Sequence, residues 1–288
     1  MNHVTQKALL LLLPVAMLLA WYEFGTHSSA NESLQDQTIL AIFAHPDDEM
    51  TIGPALSKWA REGHRVYLAL ATDGRFGAAE HFGIPAGDSL AAVRTEEIRC
   101  AANKLGIEPP RLIGLRDGFA HRQAVLSDAM ADFQRLHEAV YGLFEELQPD
   151  VVITWNPGGG YGHPDHRIVS NIVTEVYQLG GGKVEWPREL LYTGMPSDRL
   201  HSVPNATEPA VQWFIDSWHV VSPKYLPVRI AYTPEDMQNA RASLRCHASQ
   251  FTEPDMEEIS ELLNHVYNGA VTFRPWNGDG SAAIELLE

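Results

Sequence analysis

The stretch Thr38-Ile39-Leu40-Ala41-Ile42-Phe43-Ala44-His45-Pro46-Asp47-Asp48-Glu49 decides how this chain folds. Thr38 to Phe43 is a short apolar run, the mark of a strand covered on both faces of a sheet. It delivers a histidine, a proline and three acids to its C-terminal end. In an open α/β sheet that end is where ligands bind. A second run, Val151 to Trp155, leads through a glycine-rich loop into His163-Pro164-Asp165-His166. The two polar clusters are expected to meet around one metal ion.

Strand and helix signals alternate outward from this stretch. Asp48 to Glu62 carries Ile52, Leu56, Trp59 and Ala60 at helical spacing, and Val66 to Thr72 reads as a second strand ending in Asp73-Gly74. Arg75 to Asp88, with glycines and a proline but no period, reads as a long loop of the kind that is often functional. Ser89 is predicted to cap a helix that runs to Leu105 and stops at Gly106. Arg111 to Leu115 is a short strand, Ala124 to Leu147 a helix, and Asp165 the predicted cap of a helix ending at Leu179. Strands at Leu190 to Thr193 and Val211 to Val221, then helices at Pro234 to His247 and Pro254 to Tyr267, complete the reading. The alternation predicts an α/β class protein with a mostly parallel central sheet.

With 288 residues, 45% of them hydrophobic, the chain can bury a full core as one domain. A net charge of −16 leaves no basic surface to neutralise phosphates, which excludes nucleic acid as a partner. Residues 1–30 stand apart. Lys7 precedes an apolar stretch from Ala8 to Tyr22, too short for the roughly 20 residues of a spanning helix, with small residues at Ser28-Ser29-Ala30. This predicts a signal peptide or an N-terminal membrane anchor, hence an exported or membrane-attached protein. Residues 31–37 read as a linker and 38–288 as the folded domain. Cys100 and Cys246 lie in helical segments outside any Cys-x-x-Cys pattern and read as buried free thiols, with pairing left open because it depends on geometry.

His45 and Asp48 are three apart at a strand-to-helix turn, and His163 and His166 three apart at the start of a helix. That spacing can set two side chains on one face. Imidazole and carboxylate are ordinary zinc ligands, and a catalytic zinc takes three of them plus an open position. Four candidates leave a surplus for proton transfer. The plainer reading is that Asp47, Asp48 and Glu49 complement a helix dipole and Asp165 only caps. Two such clusters after two buried strands favour a metal site.

Together, these two motifs resemble the PIG-L/LmbE-like family of zinc-dependent de-N-acetylases. Thr72-Asp73-Gly74, Arg94 with Glu97, Leu115-Arg116-Asp117-Gly118 and His247-Ala248-Ser249-Gln250 extend the resemblance from about Thr38 to Gln250. It implies a Rossmann-like three-layer fold and zinc, with ferrous iron as another possible ion, held by His45, Asp48 and His166. It further implies Asp47 as general base, His163 as support for the transition state and leaving amine, and Asp165 as the residue orienting His163. Arg94 and Asp117 match sugar-hydroxyl contacts; the plainer readings are a pair with a nearby Glu and an Asp-Gly turn. Trp155, Tyr161 and Trp186 are candidates for stacking on a sugar ring. The implied reaction removes the N-acetyl group of an N-acetylglucosamine-type sugar or glycoconjugate, with a small molecule or glycan as partner. Two other classes fit less of the sequence: a non-catalytic carbohydrate-binding protein on the same fold, and an Fe(II) oxygenase with two histidines and one carboxylate.

Overall fold

A computed structural model describes residues 36–122, 126–180, 185–202 and 206–288. The predicted export signal or anchor lies outside these residues. Among the described residues no helix is long and apolar enough to cross a membrane.

Residues 37–288 form one compact unit built on a seven-stranded sheet. Its strands are β1 (Thr38–Phe43), β2 (Arg65–Thr72), β3 (Arg111–Leu115), β4 (Val151–Thr154), β5 (Glu189–Thr193), β8 (Val228–Ala231) and β9 (Ala270–Pro275). They lie in the order β3-β2-β1-β4-β5-β9-β8. The first five pair in parallel, and β9 runs antiparallel to both β5 and β8. Two-residue strands β6 (Met195–Pro196) and β7 (Val220–Val221) form a separate parallel pair. The fold is α/β, Rossmann-like and three-layered, as the resemblance implied.

The period of two along each strand assigns the layers. Ile39, Ala41 and Phe43 of β1, with Val66, Leu68 and Leu70 of β2, face one core. That core is covered by α1 (Gly53–Arg61), α2 (Asp88–Leu105), α7 (Pro234–Leu244), α8 (Glu253–Tyr267) and α9 (Ser281–Leu287). Leu40, Ile42, Ala69 and Val152 face the other core, under α3 (Leu126–Leu147) and α4 (Pro164–Leu179). Both faces of β1 are therefore shut off from water, and Ile39, Leu40, Ile42 and Phe43 each contribute about 1.5–3 kcal/mol of burial.

Several local expectations are corrected. Residues 48–62 form a short 3₁₀ turn, Asp48–Ile52, before α1 begins at Gly53. Ser89 lies inside the first turn of α2, whose cap position is Gly87. Asp165 does not cap α4; His163 does, its Nδ1 accepting the Asp165 N–H at 3.2 Å. Residues 211–217 are helical rather than extended. Pro209 opens α6 (Pro209–Ser217), and Val211 and Phe214, three apart, turn inward while Trp213 faces out. Here the period of 3.6 outweighs the β-propensity of the branched and aromatic residues. A four-residue helix α5 (Ser197–Leu200) precedes it, and strands β8 and β9, which the reading omitted, close the far edge of the sheet.

The cysteines are neither free nor buried. Cys100, exposed on α2, is bonded to Cys246, just past α7. The bridge joins residues 146 apart in sequence. Replacing both by serine should lower stability by about 4–5 kcal/mol in the chain-entropy account. That corresponds to a drop of roughly 10 °C in Tm for a domain of this size. Scanning calorimetry of the variant beside the native protein, with and without reductant, tests this; equal midpoints would count against the bridge.

Candidate metal and active site

The strand order reverses between β1 and β4, since the chain leaves β1 toward β2 and leaves β4 toward β5. Such a switch point opens a crevice at the carboxyl ends of the two strands. The first motif leaves β1 and the second follows β4, so both open into that crevice. Loop 73–77 after β2 and loop 116–122 after β3 join them, and together they enclose a cavity of about 170 Å³. Three larger surface grooves, about 870 Å³ between α3 and α4, about 730 Å³ along α7 and α8 and about 510 Å³ beside the Cys100–Cys246 bridge, bring no comparable metal-ligating cluster together among the described residues.

His45, Asp48 and His166 sit at the floor, each less than a tenth exposed. His45 Nδ1 lies 3.1 Å from His166 Nε2, and His166 Nε2 lies 3.3 Å from Asp48 Oδ1. His45 Nδ1 approaches the other Asp48 oxygen, Oδ2, at 3.8 Å. Tetrahedral coordination at about 2.0–2.1 Å sets ligand atoms about 3.3–3.4 Å apart, close to the His45–His166 and His166–Asp48 separations. His163 also brings a ring nitrogen within 4.8 Å of those of His45 and His166, and His45, Asp117 and Asp165 form a second such group.

The surrounding bonds orient the triangle. His166 Nδ1 donates to Gly159 O at 3.2 Å, leaving Nε2 with a lone pair. His45 Nε2 is 3.3 Å from both Asp165 Oδ2 and Asp117 Oδ1, which holds its proton there and frees Nδ1. Asp48 Oδ2 accepts from Ala44 N–H, His45 N–H and Trp155 Nε1–H at 2.9, 3.0 and 3.1 Å. Trp155, buried, stacks on the His166 ring at 4.4 Å with the planes 4° apart. His166 Nε2 then lies between His45 Nδ1 and the Asp48 carboxylate, a place that a proton or a metal ion would fill. That donor set calls for a cation.

The electrostatics agree. Although burial opposes it, the carboxylates of Asp117, Asp165 and Asp48 push His45 well above the usual histidine range. Burial likewise works against Asp48, yet His166 and His45 hold it well below the carboxylate range. Asp117 is drawn down to about 2 against its burial, chiefly by His45 and the Phe76 N–H. Asp47 goes the other way: burial raises it to about 6, with the Arg94 guanidinium holding it back. His163 falls to about 4 through burial and the neighbouring His45 and His166. Burial, aided by Asp48 and Asp47, raises the Tyr161 hydroxyl and keeps it protonated.

The remaining expected residues all lie here, though some in other company. Asp47 stands beside the triangle without joining it, its Oδ2 taking a 2.9 Å bond from Arg94. Arg94, buried, also donates to Gly74 O at 2.8 Å and to Pro46 O. It is paired with neither a glutamate nor open space. Gly74 is required beneath it, since it has φ +67° and a Cβ there would strike the guanidinium. Asp117 lines the cavity but spends Oδ2 on the Phe76 N–H at 2.7 Å. The Asp165 carboxylate does not reach His163; it takes the Gly118 and Ala120 N–H groups at 2.8 and 2.9 Å and faces His45, and only its backbone touches His163. Of the stacking candidates, Tyr161 lines the cavity, Trp155 backs His166, and Trp186 lies in the second core against Tyr141 and Phe144. Phe76, Gly77, His121, Arg122 and Gln250 complete the lining. Loop 75–88 and the His247–Gln250 motif pointed to three of these; His121 and Arg122 carry no local signal.

Residues 40–177 match the PIG-L family profile, described as GlcNAc-PI de-N-acetylase. The 1D-myo-inositol 2-acetamido-2-deoxy-alpha-D-glucopyranoside deacetylase of Mycobacteroides abscessus is 30% identical over 250 residues, which are 78% of this chain and 86% of that protein. The chain belongs to the PIG-L family. Among solved structures, the N,N'-diacetylchitobiose deacetylase of Pyrococcus horikoshii superposes with a TM-score of 0.58 at 19% identity, over 85% of this chain and 87% of that one. The 4-carboxy-2-hydroxymuconate hydratase of Pseudomonas putida superposes with a TM-score of 0.57 at 14% identity, over 84% and 97%. At such identities the superpositions establish the PIG-L fold alone.

Arg94→Met keeps the length of the side chain but strands the Asp47 carboxylate and the carbonyls of Pro46 and Gly74. It should cost about 2–3 kcal/mol, the range for lost bonds to charged groups. Urea denaturation measures it; a loss under about 0.5 kcal/mol, the scale of ordinary surface substitutions, would mean these bonds carry no load.

Proposed function

We propose that this protein is a metal-dependent de-N-acetylase that hydrolyses the acetamide of an N-acetylglucosamine-type sugar or glycoconjugate, giving a free amine and acetate. The observation that carries this reading is the convergence of the His45, His166 and Asp48 ligand atoms beside a carboxylate, Asp47, that stays outside the triangle. Relatives named as deacetylases, matched over 86% and 87% of their length, support the same chemistry. The fold by itself does not choose the reaction, because a hydratase shares it.

His45, Asp48 and His166 would hold the ion, zinc in our reading, with ferrous iron the other candidate. Bound there, it supplies polarisation of the amide carbonyl and a more acidic water. Asp47 accepts the proton that the attacking water gives up, a task that needs a carboxylate near the ion but free of it. His163 has Nδ1 occupied by the Asp165 N–H, so a neutral ring carries its proton on Nε2. From there it donates to the carbonyl oxygen as that oxygen gains charge. When the C–N bond breaks, the nitrogen takes up the proton Asp47 collected, and acetate and amine leave in balance. A protein that only bound carbohydrate would have no need of a carboxylate with its pKa raised to about 6 beside these ligands.

Metal-loaded protein incubated with a panel of N-acetylglucosamine compounds should release free amine and equimolar acetate. Asp47→Ala should keep the metal and lose a hundredfold or more in turnover, the scale of general-base losses. His45→Ala and His166→Ala should lose the metal itself, measured by elemental analysis after dialysis. Sugar binding without acetate release would favour the binding-protein reading, and wild-type turnover by Asp47→Ala would remove the base.

We further propose that the protein works outside the cytoplasm, exported or held by its N-terminal segment. The apolar stretch Ala8 to Tyr22 and the Cys100–Cys246 bridge support this, since disulfides persist in oxidising compartments. Fractionation of cells expressing the full chain should recover it with the envelope or medium; recovery in the cytosol would reject the proposal.

A further inference from the structure

Glu49 is the acid of the first motif that the scheme above leaves without a task. It is fully buried, and so is His247, and Glu49 Oε1 meets His247 Nε2 at 2.7 Å. Its other oxygen, Oε2, accepts the backbone N–H of Asp47 at 3.1 Å. Asp47 itself is held at φ 105°, ψ −19°. Two other described non-glycine residues have positive φ, Gln148 and Asn268, both at 46° and both just past the ends of helices. Those are ordinary left-handed turns, where Asn is at ease. Asp47 lies well beyond that region, and an L-residue stays there only when its surroundings hold it.

We infer that the buried Glu49–His247 pair is a positioning device, in which Glu49 pins the Asp47 backbone in its left-handed turn and thereby aims the Asp47 carboxylate. The inference rests on Asp47 being the base of the proposed reaction. Freed from Glu49, the Asp47 N–H has no acceptor in the turn, and relaxation to negative φ would swing Cβ and the carboxylate off their line. His247 makes the anchor rigid because it fixes the rotamer of Glu49. The turn carrying His247 is fastened to α2 twice over. Cys246 is bonded to Cys100 of α2, and the Ser249 N–H and Oγ each bond to Glu97 of α2 at 2.7 Å. The same helix carries Arg94, which grips the Asp47 carboxylate at 2.9 Å. Glu49 and His247 touch no ligand atom of the triangle, so they act through Asp47.

The test combines a rate and a structure. Replacing Glu49 and His247 together by leucine removes the acceptor and leaves no unpaired charge, while Glu49→Gln keeps an acceptor for the Asp47 N–H. In the double variant kcat should fall by about tenfold to a hundredfold, the scale of a misplaced catalytic group, with KM within about twofold and zinc content unchanged. Glu49→Gln should recover most of the loss. In an Asp47→Ala background the double replacement should cost nothing more. A crystal structure of the double variant should have Asp47 at negative φ with its carboxylate displaced. An unchanged kcat, a full additional loss in the Asp47→Ala background, or an undisturbed Asp47 would each overturn the inference. If the double variant does not fold, His247→Ala, which frees Glu49 to rotate, carries the same expectations. If the native protein releases acetate from no compound of the panel, the proposed function falls, and the geometry of Asp47 in the variant crystal still decides this point.

Discussion

Two imidazoles and three carboxylates packed out of water where β1 and β4 part cannot stay there without a positive charge among them. A buried ion is tolerated only when it is paired and its remaining bonding capacity is used. Asp165 takes two backbone N–H groups, Asp117 one, and Asp48 Oδ2 three donors including the Trp155 indole. Gly159 O fixes His166 from behind. Once those bonds are counted, what remains is His166 Nε2 set between His45 Nδ1 at 3.1 Å and the second Asp48 oxygen at 3.3 Å. The site is thus specified less by its three inner side chains than by the outer bonds that leave them no other direction.

The scaffold has to hold this arrangement against its own electrostatic cost, and it does so largely from one face of the sheet. On one face the stack of Trp155 on His166 ties the second motif to the core. From the same side α2 reaches over the carboxyl ends of the strands and braces the first motif through Arg94 and, by way of the 246–249 turn, through His247. The disulfide is therefore part of the path from the outer helices to the turn at residue 47. Its position between α2 and the end of α7 puts a covalent link where the hydrogen-bonded contacts to that turn converge.

Much of this was legible in the chain, for reasons that are local. Thr38–Phe43 and Val151–Thr154 are apolar runs ending in polar clusters, and both strands and clusters stand where the sequence put them. What no local signal carries is adjacency: that β4 returns beside β1, rather than beside β3, is a property of the topology. The same limit hid His121 and Arg122, which reach the cavity only because their loop follows β3. It also hid the partners of Arg94 and Asp165, since a side chain's neighbours across the site lie 47 and 120 residues away in sequence. Residues 211–217 failed for a different reason: branched and aromatic residues suggested a strand, and the three-residue spacing of Val211 and Phe214 was the better guide. Cys100 and Cys246 could not be paired without knowing that α2 and α7 pack together.

The floor and the rim of the cavity answer to different constraints. The floor residues follow strand ends and are held by backbone groups together with Asp117, Asp165 and Trp155. The rim is assembled from separate loops: Phe76 and Gly77 after β2, His121 and Arg122 after β3, Tyr161 after β4, and Gln250 past α7. Loops of this kind vary while the scaffold persists. Arg122 lies over the Phe76 ring at 5.1 Å and Arg116 over the same ring at 5.5 Å, and Trp213 meets Tyr161 at 5.0 Å from a separate helix. A sugar entering would meet arginine and phenylalanine on one side and tyrosine on the other before reaching the acids below. A fold shared by deacetylases and a hydratase leaves the shape of the substrate to such loops, because a floor built at strand ends does not read it.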